Sequence, residues 1–230
     1  MFVGGVDAES VAYDDVFVGT GDVGLKARPT ILRFYESFMA KTLLILGAGG
    51  HGKAVAESAL LSGDWQQVLF VDDRWPELQE SFGLPVGSDV AGLAKLVDKA
   101  HGAIAAVGNN LVREQWCVAI EQAGIELVSV VHPRAYVSAS VVLGAGTAVM
   151  ALAVVGVDAH VGRAAIINAN ATLDHDAVLG DFGHLGVGVQ IAGGVRIGAR
   201  AWLQAGCSAG YNVVVPDAEN VPAGTALRAE

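Results

Sequence analysis

The chain has 230 residues, with 24 acidic side chains against 14 lysines and arginines, and a formal net charge of −10 at pH 7. This balance argues against a surface that binds nucleic acid or an anionic membrane through its overall field. Hydrophobic residues make up 53% of the sequence and charged residues 17%, so we expect a sizeable core, and the length leaves room for two domains.

The cysteines and the hydropathy pattern indicate a cytoplasmic protein. Cys117 and Cys207 have no metal-type spacing, and their positions predict buried free thiols. No run of roughly 18 apolar residues is visible, and no signal-peptide pattern is present. We therefore expect no membrane partner.

The first segment, residues 1–38, is acidic and weakly patterned. Met39 directly precedes a strong predicted strand. One hypothesis is that Met39 is the natural start and that residues 1–38 are an extension of uncertain status.

Residues 39–130 predict a Rossmann-like α/β half-domain. Short apolar runs predict strands, apolar residues at helical spacing predict the helices between them, and the alternation predicts a small parallel sheet. The predicted strands are residues 42–46, 68–71, 103–107 and 126–130. Of the predicted helices, the first ends near Leu61, the second begins after a cap at Asp89, and the third ends at Gly124.

A glycine-rich loop follows the first predicted strand. Gly47, Gly49 and Gly52 satisfy the spacing G-x-G-x-x-G, and Asp72 and Asp73 end the second strand about 20 residues further on. On these features alone an NAD site is the first guess, and a tight turn without a ligand is the simplest alternative. A single nucleotide suits the edge better, because no second α/β domain follows for hydride chemistry.

Residues 131–230 carry a six-residue repeat. From Val131 to Leu227, every sixth residue is Val, Ile or Leu except Ala209, and the residue four places on is usually small. A fixed repeat of this kind predicts a solenoid in which three repeats close one triangular coil. Glycine often follows the aliphatic residue, and we expect it to supply unusual backbone angles at the corners. These glycines are Gly144, Gly156, Gly162, Gly180, Gly186 and Gly198.

The repeat register assigns the histidines to the outside of the solenoid. His175 lies two residues after an inward leucine, and Asp176 follows it. A neutral imidazole beside a carboxylate can act as a general base, and the alternative is a pair of polar residues on a solvated face. The register also places His184 outside, within reach of a neighbouring subunit. A zinc site lacks the characteristic spacing, so no metal is expected.

Several segments, taken in order along the chain, resemble the sequence motifs of a known protein family. They are the glycine loop 47–52, Val71-Asp72-Asp73, Gly108-Asn109-Asn110, the coil segment 167–176, Gly180 to His184 and residues 191–195. Together they resemble the bacterial nucleotide-sugar acetyltransferases with a left-handed parallel β-helix, both the PglD-like UDP-4-amino-sugar N-acetyltransferases and the sialic-acid O-acetyltransferase relatives.

The resemblance implies roles for particular residues and a homotrimer with active sites between neighbouring β-helices. His175 would be the general base and Asp176 its partner, a shorter side chain than the glutamate common in the family. The implied nucleotide-sugar pocket consists of Gly49, Gly50, His51, Asp72, Asp73, Gly108 and Asn109. The implied acetyl-CoA contacts are His184, Gly193 and Ala205.

The resemblance thus implies acetyl-CoA-dependent N-acetylation of a nucleotide-linked amino sugar by direct acyl transfer. O-acetylation of a sialic acid or related sugar remains open, because the same base serves a hydroxyl. A non-catalytic nucleotide-sugar-binding protein on the same scaffold also remains open. The chain departs from the family pattern near Val221 to Arg228, where a Gly-x-Pro-Ala-type motif is absent.

Overall fold

A computed structural model describes residues 40–229. The hypothesis about residues 1–38 and Met39 lies outside the described residues. No helix within the described range is long and apolar enough to cross a membrane.

The first part of the described chain is an α/β region built on a five-stranded sheet with the order β3-β4-β2-β1-β5. All neighbouring strands are parallel except β3, which pairs with β4 in an antiparallel hairpin at one edge. The elements are β1 (Thr42–Leu46), α1 (Gly50–Ser62), β2 (Gln67–Val71), β3 (Glu80–Ser81), β4 (Leu84–Ser88), a 3₁₀ helix (Val90–Lys99), β5 (Gly102–Ala105) and α2 (Asn110–Gln122).

Three details of this region differ from the predictions. The hairpin of β3 and β4 was not predicted. The segment after Asp89 is a 3₁₀ helix, in which buried Leu93 and Leu96 align because three residues complete a turn. The predicted strand 126–130 was wrong, since only one bridge, between Ala103 and Leu127, forms there. The chain then leaves this sheet, and Val130 pairs with the β-helix instead.

The second part is a left-handed parallel β-helix of two-residue strands. Partners in adjacent coils are eighteen residues apart, as in Val154 and Thr172. The strands are β6 (Val130–Val131), β7 (Tyr136–Val137), β8 (Val142–Leu143), β9 (Ala148–Val149), β10 (Val154–Val155), β11 (His160–Val161), β12 (Ile166–Ile167), β13 (Thr172–Leu173), β14 (Val178–Leu179), β15 (His184–Leu185), β16 (Gln190–Ile191), β17 (Arg196–Ile197), β18 (Trp202–Leu203), β19 (Ser208–Ala209), β20 (Val214–Val215), β21 (Asn220–Val221) and β22 (Ala226–Leu227).

The six-residue register predicted the interior of the β-helix correctly. The repeated aliphatic residues and the small residues four places on form one continuous core, in which Cys207 is also buried. The expectation for the glycines was wrong. Positive φ falls three places after the aliphatic residue, at Asp176 and Phe182 for example. The glycines directly after the aliphatic residue are needed instead because adjacent coils lie close together. A Cβ at Gly156, for example, would lie 2.6 Å from the backbone nitrogen of His175.

Three sheets form the faces of a triangular prism. The sheet of β6, β9, β12, β15, β18 and β21 contains His184, and we call it the His184 face. The turns between β13 and β14 and between β16 and β17 lie where the other two faces meet, and we call this edge the His175 corner. In a triangle this corner is opposite the His184 face. The α/β region lies on the other side from this corner, because α1 packs against β6.

Candidate functional site

The glycine loop lies at the carboxyl edge of the sheet, between β1 and α1. A Cβ at Gly52 would overlap the carbonyl oxygen of Gly47, so the tight turn requires glycine there. A Cβ at Gly49 or Gly50 would meet no atom of the described chain within 4 Å. Glycine at these two exposed positions therefore leaves open space at the edge where parallel sheets bind ligands.

Asp72 holds the glycine loop in place. Its Oδ2 accepts a hydrogen bond from the Ala48 backbone nitrogen at 2.8 Å, and Arg74 donates to both carboxylate oxygens at 2.7 and 2.9 Å. The hydrogen bond from Arg74 lowers the pKa of Asp72 to about 2, with the Ala48 N–H adding to it. Asp72, a predicted ribose-binding residue, is thus largely engaged in bracing the loop. Asp73 is exposed and accepts a hydrogen bond from the Val90 nitrogen at 3.1 Å.

The loop after β5 reaches the His184 face. His184 is 7% exposed, its Nδ1 lies 3.3 Å from the carbonyl oxygen of Gly108, and its ring stacks on Trp202 with centroids 5.6 Å apart. The prediction that His184 faces a neighbouring subunit was therefore wrong, because the chain's own α/β region covers it. Asn109 does not point into this contact, since its Oδ1 caps α2 by accepting from the nitrogens of Leu111 and Val112.

His51 and His184 form a pair of neutral, largely buried imidazoles. Burial and the charge of Arg113 lower the pKa of His51 to about 4, and burial, Arg113 and His51 together lower the pKa of His184 to about 3. The Nε2 atoms of both rings are buried without a hydrogen-bond partner in the described chain. Since the carbonyl of Gly108 can only accept, Nδ1 of His184 carries the proton and its Nε2 is a free acceptor.

Arg113 fastens α2 to the β-helix. Its side chain is fully buried, and it donates to the carbonyls of Ala164 at 2.7 Å, Phe182 at 2.6 Å, Val107 at 2.9 Å and Gly108 at 3.3 Å. Its remaining N–H group donates a hydrogen bond to Oδ1 of Asn110 at 2.7 Å. Burial lowers the pKa of Arg113 to about 10, so it stays charged at neutral pH.

Two ion pairs continue this attachment along α2. Arg200 binds Glu114 at 2.7 Å and Arg163 binds Glu121 at 2.8 Å. Asn110 also donates to the carbonyl of Arg200 at 2.8 Å. The loop after β5 is therefore fixed against the His184 face from several directions.

We expect Arg113→Met to destabilise the fold strongly. The apolar side chain leaves several buried carbonyls without a donor, and each such loss costs about 1–3 kcal/mol, so the free energy of unfolding should fall by at least about 3 kcal/mol. Denaturant unfolding measures this loss. The matched control is Arg134→Met, an exposed arginine whose side chain makes no bond to residues 40–229, and it should change stability by less than about 0.5 kcal/mol. A similar small change for both variants would contradict the anchoring role.

A cavity of about 520 Å³ lies at this junction. It is bounded by the loop after β5, the first turn of α2 and the exposed part of the β-helix next to Trp202. Its lining includes Gly108, Asn109, Asn110, Leu111, Arg200 and Trp202. Trp202 and Arg113 were missed by the sequence reasoning, although a large aromatic residue at an outward repeat position was an available signal.

The His175 corner carries a second group of polar residues. His175 has a half-exposed side chain, and its Nδ1 lies 2.7 Å from Oδ2 of Asp176. Hydrogen bonding to Asp176, with the charge of Asp174 adding to it, raises the pKa of His175. Asp176 has a φ of 58°, a left-handed conformation that aspartate tolerates better than most residues, and this turn brings its carboxylate to the ring.

Gly193 supports the imidazole from the next coil. It lies eighteen residues after His175, and a Cβ there would lie 2.5 Å from Nε2 of His175. The ring therefore lies directly on the Gly193 backbone. The N–H of Gly193 makes no hydrogen bond to any acceptor in residues 40–229, whereas the N–H groups of Arg163 and Ala199, at the same repeat position, are bound by aspartates.

Grooves run along both faces beside this corner. One, of about 420 Å³, is lined by Thr172, Asp174, Gln190, Ile191, Ala192 and Ser208 among others. The other, of about 520 Å³, is lined by Asp158, His160, Asp176, Val178 and Arg196. His175 thus stands on a ridge between two grooves, with Asp174 on one side and Asp176 on the other.

Within one chain the predicted residues form two separate groups. The glycine loop, Gly108 and His184 belong to the α/β region and the His184 face, and His175, Asp176 and Gly193 belong to the opposite corner. No hydrogen bond or ion pair in the described range joins the two groups. Ala205 is exposed, in the turn after β18, and contacts neither histidine by a hydrogen bond.

A solved structure decides the family. It is a histidine-to-asparagine mutant of the perosamine N-acetyltransferase from Caulobacter crescentus in complex with CoA and GDP-perosamine. The two sequences are 35% identical. The match covers 81% of this chain and 90% of the Caulobacter chain, with a TM-score of 0.76. The chain belongs to the PglD-like acetyltransferase family.

Further comparisons agree with membership of the PglD-like family. The PglD N-terminal domain matches residues 42–120. The UDP-N-acetylbacillosamine N-acetyltransferase of Bacillus subtilis (strain 168) is 33% identical over 113 residues, which is 48% of this chain and about half, 52%, of that relative. The acetyltransferase domain of PglB from Neisseria gonorrhoeae FA1090, in complex with acetyl coenzyme A, is 31% identical, covers 79% of this chain and 95% of its own, and has a TM-score of 0.66.

Among residues 40–229, no group of three or more His, Cys, Asp or Glu side chains lies close enough to hold a metal ion. The buried histidines His51 and His184 therefore have no nearby set of ligands that would complete a metal site.

Proposed function

We propose that this protein transfers an acetyl group from acetyl-CoA to the amine of a nucleotide-linked amino sugar. The observation that carries the proposal is the His175–Asp176 pair, which stands exposed between two grooves with Nε2 of the ring free to take a proton. Membership of the PglD-like family supports acetyl-CoA as the donor. The named relatives carry UDP and GDP sugars in their names, and we propose a UDP-4-amino sugar as the acceptor.

In this reaction His175 is the general base. The amine must be neutral to attack the thioester carbonyl, and Nε2 of His175 removes its proton before or during the attack, which contributes roughly 10²–10⁴-fold. Asp176 holds Nδ1 in the protonated tautomer and stabilises the imidazolium. The unbound N–H of Gly193 is a suitable donor to the developing oxyanion. CoA leaves as the thiol.

The nucleotide part of the acceptor is proposed to bind at the carboxyl edge of the α/β sheet. Gly49 and Gly50 leave open space beside the N-terminus of α1, which favours phosphate. Asp73, Gly108 and Asn109 lie at the ends of β2 and β5 on the same edge. The Nε2 atoms of His51 and His184, which have no hydrogen-bond partner in the described chain, would gain partners from polar groups of a bound substrate.

We propose a homotrimer, because one chain separates the two halves of the site. The α/β region covers the His184 face, and His175 stands at the corner opposite that face, so the acceptor pocket of one subunit would meet the base of a neighbour. Chains with His175→Ala and chains with His184→Ala are each assayed alone and then mixed so that subunits exchange. Recovered activity supports shared sites, and a monomer in solution would contradict the arrangement.

The decisive experiment for the function is a thiol-release assay. Acetyl-CoA is combined with a panel of UDP-, GDP- and dTDP-linked amino sugars, and the product is checked by mass spectrometry for an N-acetyl group. We expect CoA release with at least one amino sugar. Release only with hydroxyl acceptors would favour the O-acetyltransferase, and binding of nucleotide sugars with no release would favour the non-catalytic binding protein.

We expect the acid limb of the kcat/KM profile to report the raised pKa of His175. The base must be neutral, so activity falls as the pH drops below a pKa that lies above the usual value of 6.5. Asp176→Asn removes the largest cause of that raised pKa, so the limb should move to lower pH while kcat also falls. The acceptor amine titrates identically with both enzymes, so a difference between the profiles belongs to the protein. Superimposable limbs would contradict this prediction.

The cytoplasm is the proposed compartment. Both cysteines are buried free thiols, which suits a reducing environment.

A further inference from the structure

Asp174 flanks His175 on the side away from Asp176. Its Oδ1 accepts a hydrogen bond from the His175 backbone nitrogen at 2.8 Å, which fixes the carboxylate. Its Oδ2 lies 3.9 Å from Nε2 of the imidazole, and no hydrogen bond from residues 40–229 reaches this oxygen. Nδ1 of His175 is hydrogen-bonded to Asp176, which leaves Nε2 as an acceptor. Nε2 and Oδ2 of Asp174 are therefore two neighbouring acceptors, neither of which receives a hydrogen bond from residues 40–229.

The spacing of these two acceptors suits one nitrogen atom. An atom placed about 2.9 Å from each of them, an ordinary hydrogen-bond distance, fits between two atoms that are 3.9 Å apart. An amine has more than one N–H and can donate to both acceptors. A single hydroxyl has one hydrogen and can donate to only one of them, which leaves the other unsatisfied.

The groove beside Asp174 favours an amine over the phosphates of either substrate. Its lining contains the neutral polar side chains of Thr172, Gln190 and Ser208 and no lysine or arginine among the described residues. A carboxylate repels a phosphate and attracts a cationic or N–H-bearing group. The nucleotide and CoA phosphates should therefore lie elsewhere, and the acceptor nitrogen should lie here.

We propose that Asp174 binds the acceptor amine and selects it over a hydroxyl, holding it against Nε2 of His175. This inference rests on the proposed function. An amine arriving as R–NH3⁺ donates to both groups and gives one proton to Nε2. The nitrogen then attacks the thioester carbon, the C–S bond breaks, and the imidazolium protonates the CoA sulfur. The neutral imidazole takes the second nitrogen proton and releases it to solvent.

The test compares wild type with Asp174→Asn, which keeps the size of the side chain and an oxygen for the His175 N–H. We expect the KM for the amino sugar to rise roughly 10-fold through loss of a charge-assisted hydrogen bond, with the KM for acetyl-CoA unchanged. The second readout is competitive inhibition by the same nucleotide sugar with a hydroxyl in place of the amine. Wild type should bind the amine form more tightly, and the variant should lose that preference.

The matched control is Asp217→Asn, an exposed β-helix aspartate that accepts from the Ala199 nitrogen at 2.8 Å. It should change neither KM value nor the preference for the amine. If wild type acetylates the amino sugar and Asp174→Asn keeps the acceptor KM and the preference, the role of Asp174 is refuted and the proposed function stands. If wild type acetylates no member of the panel, the proposed function itself fails.

Discussion

Replacement of His175 by alanine is expected to lower kcat by roughly 10²–10⁴-fold, the range typical of a lost general base. The KM for acetyl-CoA should change little, because the ring is half-exposed and packs mainly on Gly193. Steady-state kinetics with both substrates measures this split. The fold should survive, because the side chain contributes nothing to the buried core of the β-helix.

A histidine elsewhere on the surface provides the control for this prediction. His101 is exposed, and its ring accepts a hydrogen bond from the Thr42 nitrogen at 3.1 Å, away from the β-helix corner. His101→Ala should leave kcat near the wild-type value. If His175→Ala keeps wild-type kcat, His175 is not the base and the mechanism must be abandoned.

Substitution of Gly193 by alanine should disable the base without removing it. The new Cβ would lie 2.5 Å from Nε2 of His175, so the imidazole must leave its position on the ridge. Misplacing a catalytic group by about 1 Å can cost on the order of 10²-fold in rate. We expect kcat to fall by about that factor, while the N–H of residue 193 is retained. The measurement is kcat at saturating concentrations of both substrates, with circular dichroism to verify the fold.

Gly210 is the matched glycine for comparison. It also lies in a corner turn of the β-helix, and a Cβ there would find its nearest neighbour, the carbonyl oxygen of Leu227, at an ordinary 3.8 Å. Gly210→Ala should leave kcat and the unfolding temperature almost unchanged. Equal effects of the two substitutions would show that the loss reflects the coil and not the position of His175.

The repeat register was the most informative part of the sequence. It predicted the triangular coils, the buried position of Cys207 and the outward position of His175. The register also implies a contact between residues 175 and 193, because they are separated by one full coil of eighteen residues. Whether a side chain or a glycine lies over the imidazole could therefore have been read from the repeat.

The buried face of α2 was harder to predict. Apolar residues at helical spacing predicted an inner face that includes Trp116 and Ile120. The structure does bury Ile120, together with Cys117, but it also buries Arg113, which that pattern did not indicate. A charged residue normally stays at the surface unless buried partners satisfy it. The partners of Arg113 are backbone carbonyls of Ala164 and Phe182, far away in the sequence, and carbonyls leave no trace in side-chain patterns.

The sequence by itself determined the local geometry of this protein. The six-residue period, the glycine loop and the strand ends are short-range features, since each depends on residues that are neighbours in one strand, turn or coil. Only the tertiary structure decided that His184 is covered by Gly108 and Trp202, and that His175 stands at the opposite corner. These facts depend on how the α/β region docks on the prism, through contacts between residues up to 90 positions apart, as for Asn110 and Arg200. The separation of the two groups follows from that docking, and it is the reason for proposing an active site shared between subunits.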